Sequence, residues 1–350
     1  MTAELLTRRP ELAAVAAGRI RRASRRRRVV LVLLVLVAAV FATSLMVGRT
    51  YYPPGEVLRV ILGEQVPGAS FTVGQLRLPR AVLAVLTGFA FGLAGVTFQT
   101  MLRNPLASPD IIGISSGASA AAALAITTLS LGPTQVSIFA IAAGLAVALL
   151  VYGLAFKGGV AGTRLVLIGI GIAAMLDSIT SYALSRAAEW DLQEAMRWLT
   201  GSLNGAGWSQ VTPTLIAVLV LAPVLLWRSR DLSALQLGDD TAAALGVRLE
   251  RTRLLLIVAA VGLIAFATAA TGPIAFVAFL SGPIAARITG PNGSLLVPSA
   301  LVGALLVLVA DLCGQYAFDT RFPVGVVTGV LGAPYLVYLI VRTHRAGGSL

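Results

Sequence analysis

"RRASRRRRVVLVLLVLVAAVFATSLMV", residues 21–47, sets six arginines directly ahead of 19 residues that carry no charge. At a rise of about 1.5 Å per residue the uncharged run reaches roughly 28 Å, enough to cross the hydrocarbon core of a bilayer. It is too long for a signal-peptide core, and no clear small-x-small cleavage site follows it. Arginines held in front of an apolar span mark the cytoplasmic side, so the segment predicts a cytoplasmic amino terminus followed by a first membrane helix.

The same apolar character recurs down to Val341. The chain has 350 residues, of which 57% are apolar and 12% charged, and a mean hydropathy of +0.88. These values exclude an ordinary soluble domain and predict an all-α polytopic membrane protein. Ten helices are expected, near 29–48, 79–101, 112–130, 136–156, 165–186, 211–227, 254–271, 274–287, 297–315 and 324–341. That gives a basic tail at 1–28, a membrane-spanning bundle at 29–341 with a polar loop at 228–253, and a tail at 342–350. With alternating spans both termini are cytoplasmic. Of the 27 basic residues, only Arg49, Arg59, Arg77, Arg80, Arg186, Arg197 and Arg321 then lie outside. The net charge of +12 therefore reads as membrane topology, not as a nucleic-acid footprint. Outside the spans, 49–78 and 187–210 are expected to hold helices lying at the membrane surface, the second because it combines three acids with three tryptophans.

A single cysteine, Cys313, and a single histidine, His344, leave no set for a disulfide, a thiolate metal cage or a histidine-based catalytic group. The one lysine, Lys157, precedes Gly158, so there is no nucleotide-binding P-loop. What interrupts the hydrocarbon is therefore informative. "RNPLASPDIIGISSGAS", 103–119, brings two prolines, Asn104 and a Ser115-Ser116-Gly117 step to the cytoplasmic edge, where irregular backbone is tolerated if it is buried or lines water. The loop at 228–253 contains two short helical stretches with apolar residues on both, and Asp239-Asp240 opens the second as a helix amino terminus favours. It predicts a docking surface. Asp177 and Asp311 fall within or near spans, where a charge costs at least about 2.5 to 3.5 kcal/mol at midplane, so a functional role such as proton coupling stands beside the favoured reading of each as a carboxylate near the outer end of its helix, hydrogen-bonded to serine or threonine neighbours. Gly88, Gly92 and Gly95 form a small face suited to close helix packing.

Five stretches, "LRLPRAVLAVLTGFAFGLAGVTFQTMLRNPLASPDIIGISSGAS", "LQLGDDTAAALGV", "TGPIAFVAFLSGPIAARITG", "VPSALVGALLVLVADL" and "FPVGVVTGVLGAPYLVYLI", resemble FecCD/BtuC-type permeases in order and spacing. These are the membrane subunits of ABC importers for ferric siderophores, haem and vitamin B12. The resemblance implies a ten-helix, type II ABC importer permease fold in a bacterial cytoplasmic (inner) membrane. It also implies a second permease subunit (a related partner favoured over a homodimer), two ATPase subunits that use ATP and Mg, and an extracytoplasmic substrate-binding protein. No cofactor or metal is expected in this chain, and no catalysis.

Residue by residue, the resemblance gives binding-protein docking to Arg77 and Arg80, with Arg321 as an additional candidate. A cytoplasmic gate or path falls to Asn104, Leu106, Gly162 and Thr163, joined by Ser115 and Ser116. ATPase coupling falls to Leu237, Gly238, Asp239, Asp240, Ala244, Leu245 and Gly246. Two departures stand out: Ile284 occupies a position where many relatives have histidine, and Gln315 one where some have a docking arginine. The implied cargo is an iron-siderophore complex, with vitamin B12 or haem as the alternative and a proton-coupled secondary transporter as the reading from another class.

Overall fold

The computed structural model describes residues 2–109, 113–155, 162–290 and 293–345, with the side chains of 2–16, 162–163, 340 and 342–345 outside the description. Fifteen α-helices and one π-helical turn appear there, and no strand. Ten of the helices match the ten expected spans: α1 (Thr2–Met46), α4 (Leu78–Met101), α5 (Ile114–Thr127), α6 (Pro133–Ala155), α7 (Gly162–Ser185), α9 (Trp208–Trp227), α12 (Leu249–Thr271), α13 (Val277–Thr289), α14 (Leu296–Tyr316) and α15 (Val324–Arg345). Seven of these are long and apolar enough to cross a membrane, while α5, α13 and the apolar part of α15 are shorter. The basic tail is itself helical, and α1 runs from it into the apolar run without a break.

The remaining helices sit at the ends. On the side away from the basic tail, α2 (Pro54–Ile61), α3 (Ala69–Phe71) and the π-helical turn Thr72–Arg77 lead into α4, and α8 (Glu189–Leu199) follows α7. The first buries Val57 under exposed Leu58 and Ile61, the pattern of a helix lying at an interface. On the basic side, α10 (Ser229–Leu235) and α11 (Asp239–Ala244) form the loop between α9 and α12.

Helix α4 is the centre: 83% of its most apolar stretch is buried, against 11% for α1 and 17% for α7. Its glycines explain how. A Cβ on Gly88 would lie 2.4 Å from the Gly303 carbonyl oxygen, one on Gly92 2.2 Å from that of Ser299, and one on Gly95 1.9 Å from that of Ala278. Gly303 meets the Gly88 carbonyl equally closely. The small face expected at 88–95 thus joins α4 to α14 and α13 within one chain, backbone against backbone.

The end of α13 nearest the tail shows how polar groups are satisfied inside the bundle. Pro283 has no N–H to give the Phe279 carbonyl four residues earlier. Gln99 of α4 supplies it, Nε2 donating at 2.9 Å. Gln99 can reach because Gly282 has no side chain; a Cβ there would lie 1.8 Å from Gln99 Oε1. Before α13, residues 272–276 are not helical. Gly272 and Phe276 adopt left-handed backbone (φ 72° and 64°), and Ile274 is buried. The apolar pattern that suggested a helix from 274 reflects burial, not helical periodicity, which is why α13 starts later than expected.

Gly92→Val should drive a branched side chain into the Ser299 carbonyl and sharply reduce folded, detergent-stable protein. Gly171→Ala on α7, where a Cβ meets nothing within 4 Å, should keep or slightly raise the melting temperature, since alanine favours helix by roughly 1 kcal/mol. Size-exclusion yield and thermal melts of the two variants separate these outcomes.

Candidate transport gate and coupling elements

Helix α4 ends at Leu102 in a Schellman turn. The Asn104 amide donates to the Gln99 carbonyl and the Arg103 amide to that of Thr100, while Arg103 takes the left-handed conformation at φ 53°. Glycine normally fills that place, because a side chain there costs roughly 1 kcal/mol or more. Arginine stands there because its side chain is used: Nη2 reaches to 3.8 Å from Asp239 Oδ1 at the start of α11. The same carboxylate oxygen accepts from Arg253 Nη2 of α12 at 2.7 Å, and Arg253 is buried. One acid therefore ties three segments together: the end of α4, the polar loop and α12.

Beyond the turn, Asn104 Oδ1 accepts the Leu106 amide at 2.8 Å, an Asx turn that folds the chain around Pro105. Asn104 and Pro105 stay exposed and Leu106 half-buried, while Ala107, Ser108 and Pro109 are buried. Gln99, Arg103, Asn104, Gln236, Pro283 and Leu295 line an open cavity of 320 Å³ on this side. Ser115 and Ser116, in the first turn of α5, are half-buried. Gly162 and Thr163 open α7, and their side chains lie outside the described residues. Ile284, where the resemblance implied a histidine in many relatives, packs in the apolar cluster of Leu33 and Leu301, toward α1 and α14.

In the polar loop, Leu232, Leu235 and Ala242 are buried in the main core. Leu237 and Leu245 flank α11 with 64% of each exposed, and Asp240, Ala244 and Gly246 are exposed as well. Gly238 (φ 107°) and Gly246 (φ 87°) supply the left-handed turns before and after α11. The loop is thus anchored on one face and presents leucines on the other.

At the opposite end, Arg80 binds Asp311 of α14 with both arms of the guanidinium, at 2.9 and 2.7 Å, and its third nitrogen donates to Asn204 Oδ1 at 2.9 Å. Gln315 Nε2 adds a fourth hydrogen bond, to Asp311 Oδ2 at 2.7 Å. Asp311 is 7% exposed, so its charge is held by a bidentate partner as burial requires. Arg77 donates to the carbonyls of Leu45, Met46 and Thr50 and covers the Tyr52 ring, closing the end of α1. Arg321 is exposed. Asp177 is exposed on α7.

The sequence profile of the FecCD transport family matches residues 33–342. The chain belongs to the FecCD transport family. It is 39% identical over 304 residues to the ferric enterobactin transport system permease protein FepG of Escherichia coli, covering 86% of this chain and 92% of that one. It is 42% identical over 311 residues to the achromobactin transport system permease protein CbrC of Dickeya dadantii, covering 88% and 89%. It is 36% identical over 274 residues to the cobalamin import system permease protein BtuC of Halobacterium salinarum, covering 78% and 74%. In structure it superposes with a TM-score of 0.81, at 28% identity over 90% of this chain and 99% of the other, on a chain described as a metal-chelate type ABC transporter in an inward-facing conformation. This FecCD-family chain is a multi-pass membrane protein with a type II importer permease fold.

The structure brings Asp239 and the Asn104 turn together through Arg103, a residue not among the expected gate or coupling residues. Arg253, Gln99 and Asn204 were likewise not expected in these roles. The sequence signal for Arg103 was its place, a charge wedged between a helix end and Asn-Pro. For Arg80 and Asp311 the separation of 231 positions hides the pairing. Arg80→Ala should destabilise the folded protein by about 3 kcal/mol by leaving Asp311 buried and unpaired. Arg80→Ala combined with Asp311→Ala should recover much of that loss in chemical-denaturation or thermal-melt measurements.

Proposed function

We propose that this chain is the membrane permease subunit of an ATP-binding cassette importer that carries an iron-siderophore complex into the cytoplasm of a bacterium. In this reading it sits in the cytoplasmic membrane with both termini inside. The observation that carries the proposal is the bond between coupling loop and gate, Asp239 with Arg103 and Arg253. A loop anchored by Leu232 and Leu235 and exposing Leu237 and Leu245 suits a partner whose movement must reach α4. That partner is a pair of separate ATPase subunits, which bind ATP and Mg and hydrolyse the nucleotide. A second permease, a related chain in preference to a copy, faces this one, and an extracytoplasmic binding protein delivers the cargo.

Relatives named for enterobactin and achromobactin support an iron chelate. The cobalamin relative keeps vitamin B12, and with it haem, as the alternative cargo. A proton-coupled carrier draws no support from Asp311, whose charge Arg80 already neutralises. For docking of the binding protein, Arg321 has no ion-pair partner among the described residues, whereas Arg77 and Arg80 would have to share or exchange the bonds they now make. The gate comprises the 104–106 turn with Ser115 and Ser116 above it, and Gly162 and Thr163 at the start of α7.

Arg103→Gly tests the coupling. It removes the left-handed strain and the ion pair together, so the variant should assemble with its ATPase and keep a normal melting temperature while uptake of radiolabelled ferric siderophore falls at least about tenfold. Cells lacking the chain, with B12 and haem offered in parallel, supply the reference. Uptake of the siderophore that continues without the chain, alongside lost B12 or haem uptake, would reassign the cargo. Full uptake by Arg103→Gly would remove the coupling role of the ion pair.

A further inference from the structure

Helix α1 carries the basic tail into the apolar run as one unbroken helix, so each arginine has a fixed bearing around its axis. At about 3.6 residues per turn, Arg21, Ser24, Arg28, Leu31 and Val35 form one stripe, with Arg27 and Val32 beside it. All of these are exposed, Leu31, Val32 and Val35 by more than half. Other bearings of the helix face protein. Leu33 is buried against α13 and α14, Arg25 Nη2 donates to the Ile288 carbonyl at 3.3 Å, and Arg26 lies against Gly293.

Nothing on the protein answers the charge of the stripe. No acid occurs between Glu11 and Glu56, and Arg21, Arg27 and Arg28 make no ion pair among the described residues. Thr43 and Ser44, further along the same helix, donate to carbonyls four residues back; the exposed Ser24 hydroxyl makes no such bond among the described residues. Arg27 and Arg28 stand within about 3 Å of the apolar run along the axis, inside a headgroup layer of about 5 to 8 Å, and Ser24 is one turn further out. Membrane orientation needs only an excess of arginines near the span, whatever their bearing. A trio the size of one headgroup, set directly over exposed hydrocarbon, is a further pattern. The FecCD profile begins at residue 33, so the trio belongs to this chain's own lead into the bundle.

We infer that Ser24, Arg27 and Arg28 hold the headgroup of an anionic phospholipid in the leaflet on the tail side, with Arg21 above it and the acyl chains along Leu31, Val32 and Val35. Two guanidiniums offer forked N–H donors to the phosphate oxygens. The hydroxyl beside them suits a headgroup that carries hydroxyls of its own, as phosphatidylglycerol does. Phosphatidylethanolamine presents the same phosphate but brings an ammonium that the arginines repel. A soluble phosphate would meet the same donors and gain nothing from the apolar rows, so the occupant is a lipid. Held there, it braces the end of α1 that Arg25 joins to α13.

The full chain, purified in detergent, is titrated with phosphatidylglycerol and with phosphatidylethanolamine of the same acyl chains, and bound lipid is counted by native mass spectrometry. Phosphatidylglycerol should bind at least about tenfold more tightly. Arg27→Gln with Arg28→Gln should cut that preference to about twofold or less, whereas Arg19→Gln with Arg22→Gln, which removes equal charge from other bearings, should leave it within about twofold of wild type. Equal binding of the two lipids, or equal loss in the two variants, overturns the inference. So does displacement of the lipid by millimolar glycerophosphate, which would mark a site for soluble phosphates. A second measurement leaves every arginine in place. With Leu31→Trp in nanodiscs, the emission added over wild type should be quenched at least about twofold more by phosphatidylglycerol with brominated acyl chains than by phosphatidylethanolamine so labelled at equal mole fraction. Equal quenching overturns the inference even if the arginine variants fail to fold.

Discussion

Backbone contact between α4 and α14 is the constraint on which the other packing depends. Where Gly88, Gly92 and Gly303 meet, no side chain separates the two helices, so neither can slide or rotate without collision. In lipid there is little hydrophobic force to draw helices together, and such close approach supplies the dispersion contact that does. Both ends of α4 then become fixed points. Arg80 is bonded to Asp311 at one end and Arg103 to Asp239 at the other, some 35 Å away by helix rise. A rod held in this way transmits displacement between its ends in place of absorbing it.

Irregular backbone in the bundle is accounted for group by group. The carbonyl orphaned by Pro283 receives Gln99, the turn at Pro105 is closed by Asn104, and in the non-helical lead into α13 Gly272 and Ile274 are buried. The gate region therefore combines exposed, irregular chain with polar groups paired at particular positions, Gln99 with the Phe279 carbonyl and Asn104 with the Leu106 amide. Its conformation can change by exchanging partners, with no polar group abandoned in hydrocarbon.

The spans, the small face of α4 and the two short helices of the coupling loop were legible because each is a local pattern: apolar length, i and i+4 spacing, and turn residues flanking short apolar runs. The family was legible because its motifs keep both order and spacing. Long-range ion pairs were not legible. Nothing near Asp311 announces Arg80, so a residue that looked like a candidate proton carrier proved to be the buried half of a clamp. Arg103 was hidden for another reason, since left-handed backbone at a helix end predicts glycine and the arginine is there in spite of that preference. The start of α13 was misplaced because the apolar run 274–280 continues through the non-helical lead into the helix, and a short apolar run does not distinguish helix from packed coil.

Helix α1 packs chiefly along α14 and caps the end of α13, where Arg25 Nη2 donates to the Ile288 carbonyl at 3.3 Å. During synthesis those partners emerge late, about 250 residues after Met46. At roughly 5 to 20 residues per second α1 waits in the bilayer for some 12 to 50 seconds before α14 arrives, with only its far end held early, by Arg77 on the Leu45 and Met46 carbonyls. Its Leu31, Val32, Leu34, Val35 and Leu36 remain exposed even in the finished fold. The uniform hydrocarbon of this helix is thus a requirement of its birth order. It must be a complete membrane anchor on its own long before it becomes part of a bundle.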